Sequence, residues 1–376
     1  MTPVSTQQIR RRRLALGAIA GLAATAGLIV GASGQDDEPE RKAGAERQEK
    51  APQLSLERQL GQLLVMSFDG TTVPDYIRRR LRDGQGTGVI LFAKNAPDPA
   101  TLRGITKALQ RASGGSALVA TDQEGGQIRS VPFAAPEASQ ATLTSPKAAS
   151  ENARAGARDL KAVGVNVNLA PVADVADGIG SVLAGRAYPG GPDEVAGLVG
   201  AAVRAHERER VAATVKHFPG LGRAAANTDD EPVTLDSTAR ELERDLVPFR
   251  QAVRAGVPLV MSSHALYTAL DRDRIASQSR VVLGDLLRKE LRFEGAVVTD
   301  SIEAEAALAR SDVAEAAERS MEAGADLVLM TGSGSWNEVQ PRLLRRARRD
   351  PGFRARVGQA AARVLALKRR LGLTRP

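Results

Sequence analysis

The chain has 376 residues, no cysteine, 43% hydrophobic and 26% charged residues, a globular composition that suits two average domains or one large α/β barrel. The lack of cysteine excludes disulfides, thiol catalysis, thiolate metal sites and a lipidated-cysteine anchor. A metal centre built on its three histidines (His206, His217 and His264) is a poor fit. The net charge of +8 is local, because twelve Arg/Lys and one Asp between Arg342 and Pro376 give that stretch +11 and leave about −3 elsewhere. With only 3% aromatics for base stacking, nucleic acid is not the expected partner.

In chain order, Arg10–Arg13 precede an uncharged stretch rich in Ala, Gly, Leu and Ile that runs to Gln35. That is the layout of a targeting segment. Residues 1–34 therefore read as a signal peptide or an N-terminal membrane anchor, and both alternatives export the remainder of the chain. Residues 35–54 are charged and Gln-rich, as in a flexible linker. The folded body is expected over residues 55–376.

That body alternates short apolar runs with amphipathic segments. The runs are Leu63–Phe68, Gly88–Phe92, Ala117–Thr121, Val165–Leu169, Ala212–Val215, Leu259–Ser262, Ala296–Thr299 and Asp326–Met330. None shows polar alternation, as expected of parallel strands buried on both faces. The intervening helices are predicted over Pro74–Asp83, Asp98–Ser113, Ser145–Val163, Asp193–Arg210, Ser237–Ala255, Leu283–Leu291 and Asp312–Ala323. Ser145-Pro146 supplies an N-cap and N1 pair, while Gly256 and Gly324 close helices. The fold class is α/β, and the repeat count is that of a (β/α)8 TIM-type barrel in a single catalytic domain. A doubly wound open sheet is the alternative.

A barrel places its functional side chains just after the strands. Asp69, Lys94-Asn95, Asp122, Asp174, Lys216-His217, His264 and Asp300 all fall there. Ionisable groups at buried strand ends cost desolvation unless they are paired or functional, so their presence at seven strand ends of one rim points to a site. Carboxylates with Lys, His and Arg, and no phosphate loop, suit a polyhydroxylated ligand. Asp300 ends the apolar run from Gly295 and would be aimed at the barrel axis, although a helix N-cap is the simpler role for a lone Asp. His206 falls on a helix and is expected to face solvent.

These residues resemble glycoside hydrolase family 3, in its single-domain β-N-acetylglucosaminidase branch, from about Leu54 to Leu373. Lys216-His217-Phe218-Pro219-Gly220-Leu221-Gly222 is similar to the family signature KHFPGHG. Asp122 to Ile128 is similar to DQEGGxV, Asn168 to Asp174 to NxAPVxD, and Val297 to Ser301 to the nucleophile block. Weaker matches are Leu91–Asn95, Gly185–Tyr188, Met261–His264 and Ala323–Asp326. The resemblance implies that Asp300 is a nucleophile forming a glycosyl-enzyme. It also implies that Asp122, Arg186, Lys216 and His217 hold sugar hydroxyls, with His264 and Asn227 as further substrate-binding candidates, and that no metal or cofactor is needed.

The pattern breaks in one loop. Where the branch carries an Asp-Ser-His acid/base dyad, this chain has Asn227-Thr228-Asp229, and Leu221 replaces the second His of the signature. Ser130 stands where a sugar-binding Arg is usual, with Arg129 one position earlier. These departures leave two readings. In one, Asp229 or Asp230 is a substituted carboxylic acid, its pKa raised by mutual repulsion, and the protein is an exported retaining hydrolase of terminal β-linked sugars, foremost β-N-acetylglucosaminides of cell-envelope glycans. In the other, the acid is lost and the protein is a sugar-binding pseudoenzyme of the envelope. A β-glucosidase or xylosidase specificity stays open. The partners expected are a carbohydrate substrate and, through the N-terminal segment, a membrane, with the protein otherwise a monomer. Val357, Ala361, Val364, Leu367 and Leu371 at helical spacing predict a closing helix with a cationic outer face, and contact with an anionic membrane or wall polymer is the sharper alternative.

Overall fold

The computed structural model describes residues 54–374 apart from 177 and 179. The expected leader and all but the end of the linker lie outside the described residues. Among the described residues, no helix is long and apolar enough to cross a membrane.

Eight strands close a parallel barrel: β1 (Leu64–Met66), β2 (Gly88–Leu91), β3 (Leu118–Thr121), β4 (Val167–Asn168), β5 (Ala212–Phe218), β6 (Leu259–Ser262), β7 (Ala296–Ser301) and β8 (Leu327–Leu329). Each pairs with the next along the chain, and β8 returns to β1. Every predicted apolar run overlaps one of them, with β5 and β7 continuing past the predicted ends to Phe218 and Ser301. The strands are buried throughout, except for Asp300 and Ser301 at the open end of β7, which is why their sequences lack alternation. Gly88 has a packing reason: a Cβ there would lie 1.8 Å from the Leu118 carbonyl oxygen of the adjoining strand.

Each strand is followed by a helix: α1 (Asp75–Arg82), α2 (Pro99–Ala112), α3 (Pro146–Ala162), α4 (Pro192–Glu209), α5 (Ala239–Arg254), α6 (Val281–Glu290), α7 (Val313–Ala323) and α8 (Trp336–Arg349). The start of α3 is the one expected, with Ser145 Oγ accepting from the Ala148 N–H at 3.2 Å and Pro146 in the first turn. Thr238 and Glu241 form a capping box on α5. Helix α6 is wound as a π-helix, a geometry that apolar periodicity does not distinguish from an α-helix. Gly256 and Gly324 end α5 and α7 at φ 78° and 134°, the region glycine enters without strain.

The predicted closing helix is two helices. Asp350 ends α8 and caps α9 (Pro351–Arg370), accepting from the N–H groups of Gly352 and Phe353. Val357, Ala361, Val364 and Leu367 are buried, as their spacing requires. Much of the cationic surface is spent within the fold. Arg342 pairs with Glu318, Arg348 with Glu57 and Arg370 with Glu207, while Arg356 and Arg363 converge on buried Asp326.

His206 corrects an expectation. It faces the core at 3% exposure, donating from Nδ1 to the Ala202 carbonyl and accepting at Nε2 from Asn168 Nδ2. The helix face it occupies packs against the barrel, so it is not a solvent-facing histidine. Burial lowers its pKa and keeps the ring neutral.

Lys368 on α9 is buried with one hydrogen bond, 2.7 Å from Nζ to Gln62 Oε1. Burial without a counter-charge lowers its pKa to about 7. In the unfolded chain a lysine titrates near 10.4, so between those values the unfolded state holds a proton the folded state has lost, and stability rises with pH. Lys368→Met is therefore expected to stabilise the protein by about 1–3 kcal/mol at pH 6. The gain should shrink toward pH 10. Denaturant titrations at pH 6, 8 and 10 check this, and a gain that does not change with pH contradicts it.

Candidate active site

Asp122, Gln123 and Glu124 leave β3 in an extended turn that pairs with Ile128–Arg129. Gln123 turns back into the loop, bonding to Val131, Ala134 and Ala135. Asp122 and Glu124 alternate to the other side and meet Lys216 from β5. Lys216 Nζ lies 2.6 Å from Asp122 Oδ1 and 2.7 Å from Glu124 Oε1. Arg186 grips the same Glu124 through two bonds of 3.0 and 2.7 Å, the forked geometry that makes such pairs strong. Burial opposes ionisation of Glu124, but Lys216 and Arg186 hold its carboxyl down to about 2. Two carboxylates and two cations thus form one balanced, mostly buried chain.

His217 is held from behind. Asp174 accepts from the His217 ring Nδ1 at 2.8 Å, and from the backbone N–H groups of His217 and Leu221. That leaves Nε2 pointing forward, 3.8 Å from Asp300 Oδ2. The signature glycines serve this turn. Gly220 has φ 129°, and a Cβ on Gly222 would fall 2.0 Å from the Val175 carbonyl oxygen. Asp300 is the penultimate residue of β7, with its Oδ1 receiving the Ser301 N–H at 2.8 Å. Burial opposes its ionisation. The imidazoles of His217 and His264, the Lys216 ammonium and the Ser301 N–H outweigh burial and hold the carboxyl below its ordinary value.

The loop after β5 is docked on the rim. The carbonyls of Thr228 and Asp229 accept from the N–H groups of Ala306 and Glu305, filling orphan donors of the one-turn helix Glu305–Leu308. Asn227 shapes the loop: its Oδ1 receives the Asp229 N–H at 3.2 Å and its Nδ2 donates to Asp229 Oδ2 at 3.3 Å. Asp229, Asp300, Asp122 and Glu303 line one cavity of about 360 Å³ at the mouth of the barrel, room for a sugar ring. Partial burial of its carboxyl, and then the charge of Asp300, raise the pKa of Asp229. Asp229 and Asp230 are both exposed residues, but Asp230 is not among those lining this cavity. Of the two acid candidates, the fold brings only Asp229 to Asp300.

Other rim residues have different surroundings. His264 is fully buried, with Nε2 donating to the Ser301 carbonyl at 2.9 Å and Nδ1 accepting from Ser277 Oγ at 2.7 Å. Both ring nitrogens are engaged, so His264 buttresses the segment that carries Asp300 and offers a ligand no free nitrogen. Arg129 turns to the carbonyls of Pro132 and Ala134 and does not replace the cation missing at Ser130. Asp69 and Lys94 pair in solvent, and buried Asn95 bonds to the Phe68 and Gly70 carbonyls.

Sequence reasoning passed over Glu124 and Glu303. Each stands two or three residues from a selected aspartate, so alternation along Asp122–Glu124 was the available signal for the first. Glu303 comes after a bend and had none. The arrangement brings two carboxyls with opposed biases, Asp300 toward the ionised form and Asp229 toward the protonated one, to the same cavity.

A family model described as the glycosyl hydrolase family 3 N-terminal domain matches residues 55–367. A beta-hexosaminidase of Pseudomonas aeruginosa is 33% identical over 300 residues, covering 77% of this chain and 89% of its own. An uncharacterized secreted glycosyl hydrolase of Arthroderma benhamiae is 34% identical over 292 residues, 74% of this chain and 83% of its own. Among solved structures, a family 3 β-N-acetylglucosaminidase from Paenibacillus sp. superposes with TM-score 0.81 at 32% identity, over 85% of this chain and 63% of that one. A β-N-acetylhexosaminidase from Beutenbergia cavernae gives 0.78 at 31% identity, over 84% and 99%.

Proposed function

The chain belongs to glycoside hydrolase family 3, and from that premise we propose that it is an exported retaining hydrolase of the β-N-acetylhexosaminidase type, acting on terminal β-linked amino sugars of cell-envelope glycans. The observation that carries this reading is the opposed bias of Asp300 and Asp229 on one cavity. A retaining glycosidase needs such a pair, one carboxyl ionised and one protonated, roughly 5 Å apart.

In the first step an oxygen of ionised Asp300 bonds to the anomeric carbon. The glycosidic bond breaks, and the Asp229 proton goes to the departing oxygen. In the second step water attacks the same carbon, Asp229 takes its proton, and the bond to Asp300 breaks. Asp122, Lys216 and Arg186 hold sugar hydroxyls, and His217 steadies Asp300 from the side. Asn227 acts on the loop that carries Asp229, and Asp230 has no part in the chemistry. Support for export comes from the basic-then-apolar leader and from a relative described as secreted.

An anionic acid/base repels an anionic acceptor, which favours water over phosphate as the acceptor of the sugar. Release from an aryl β-N-acetylglucosaminide is therefore expected to proceed at comparable rates with and without phosphate. A large stimulation by phosphate would identify a phosphorylase instead. Binding without release would identify a sugar-binding protein.

A further inference from the structure

We propose that the end of the barrel opposite the active site docks on an anionic lipid bilayer, which holds the catalytic mouth turned away from the membrane. The inference goes beyond the hydrolase reading and does not depend on it.

The charge of the molecule is laid out along the barrel axis. Parallel strands put the start of every barrel helix at the active-site end and its finish at the other. Every barrel helix except α7 carries Lys or Arg in its last turn. Helices α1, α4, α5, α7 and α8 carry Asp or Glu in their first turn. Each such charge more than offsets the half-charge of the helix dipole beside it. Because the helices all run the same way, the surplus accumulates as one cationic end and one acidic end. Helix α9 crosses the cationic end. Its Arg356 reaches the Ala325 carbonyl before β8, Lys368 reaches Gln62 before β1, and Arg370 reaches the Gly256 carbonyl before β6.

Two observations point from this end to a membrane. First, its cations outnumber the acids that could neutralise them. Glu207 is taken by Arg370, Glu209 by Arg154 and Arg158, Asp350 by Arg346, and Asp326 by three arginines. Arg82, Arg111, Lys161, Arg208, Arg349 and Arg369 are exposed and have no side-chain partner among the described residues. Against them stand Asp83 and Glu294. Second, the described chain begins at the same end. It opens with the helix Leu56–Gly61, whose Glu57 pairs with Arg348 near the finish of α8. The leader, with its basic-then-apolar order, therefore joins the barrel beside these cations and away from the catalytic mouth.

An anionic bilayer fits both observations. Each Lys or Arg brought to such a surface strengthens binding about fivefold, and charge spread over a broad face needs no shaped pocket. The acidic end is repelled by the same surface, so charge alone sets the orientation. The catalytic cavity then stands about 20 Å from the lipid, one helix length, and open to glycans outside it.

The chain has no cysteine, so a fluorophore can be attached at one chosen site. The test places it on the full-length protein at Ala362→Cys, on the exposed side of α9, or at Thr71→Cys, in the exposed loop after β1. Each labelled protein is mixed with phosphatidylcholine vesicles that carry an acceptor-labelled lipid, with and without phosphatidylglycerol. On the anionic vesicles, energy transfer from Ala362→Cys should exceed that from Thr71→Cys severalfold, and high salt should remove the difference. Adding Lys161→Glu and Arg369→Glu should abolish it as well, with the unfolding transition of the parent retained. Equal transfer from the two labels on anionic vesicles overturns the inference, even where the leader holds the protein to the lipid. A difference that survives the charge reversals also overturns it. Binding to soluble polyphosphate with none to anionic vesicles overturns it too, and gives the face to a polyanionic polymer.

Discussion

Asp300→Ala is expected to lower kcat by about 10⁵-fold or more, the scale on which removing an enzyme nucleophile acts. Three features of the fold make that position irreplaceable. β7 delivers the side chain to the cavity, the Ser301 N–H fixes one carboxylate oxygen, and His217 Nε2 flanks the other. Neither Asp122 nor Glu303 can substitute, since Lys216 ties the first and the Thr331 bonds tie the second. KM should change far less than kcat, because Asp122, Lys216 and Arg186 remain. Truncation also leaves room for a small anion, so added azide should restore turnover and yield a glycosyl azide of inverted configuration. Activity within tenfold of the wild type would assign the nucleophile to another residue.

Asp229→Asn is expected to cost about 10² to 10⁴ in kcat on substrates with poor leaving groups, and much less on activated aryl glycosides that leave without a proton. The pH profile separates the two carboxyls. Asp300, held below its ordinary value, must be ionised, so activity falls at the acidic end as it takes a proton. Asp229, raised above its ordinary value, must carry a proton, so activity falls as pH climbs through that raised value. The Asn variant should lose the alkaline fall and keep the acidic one. Asp230→Asn should leave both limbs in place. An alkaline limb that survives in Asp229→Asn and vanishes in Asp230→Asn would reverse the assignment.

The barrel was legible because its strands are buried on both faces and read as uninterrupted apolar runs, each bounded by a capped helix. The rim was legible because ionisable residues at buried strand ends are conspicuous. Which of those residues face a ligand was less so, because that depends on side-chain direction. His264 and His217 both come just after a strand's apolar run, yet one bonds back to Ser301 and Ser277 while the other points at Asp300. His206 misled for the same reason, since a helix pattern does not reveal that its ring reaches Asn168 across the barrel wall. The choice between Asp229 and Asp230 needed the backbone bonds that dock the loop on Glu305 and Ala306. Those bonds join segments some seventy-five residues apart, a separation no local pattern records.

The central claim is that Asp300 forms a covalent bond to the sugar and that Asp229 serves both steps. The most direct measurement is the mass of Asp229→Asn during turnover of whichever dinitrophenyl glycoside the wild type cleaves fastest. An activated leaving group lets the first step proceed, while the missing base slows the second, so the glycosyl-enzyme should accumulate with its mass added to the peptide carrying Asp300. Continued release with no adduct, or an adduct on a different residue, would contradict the account.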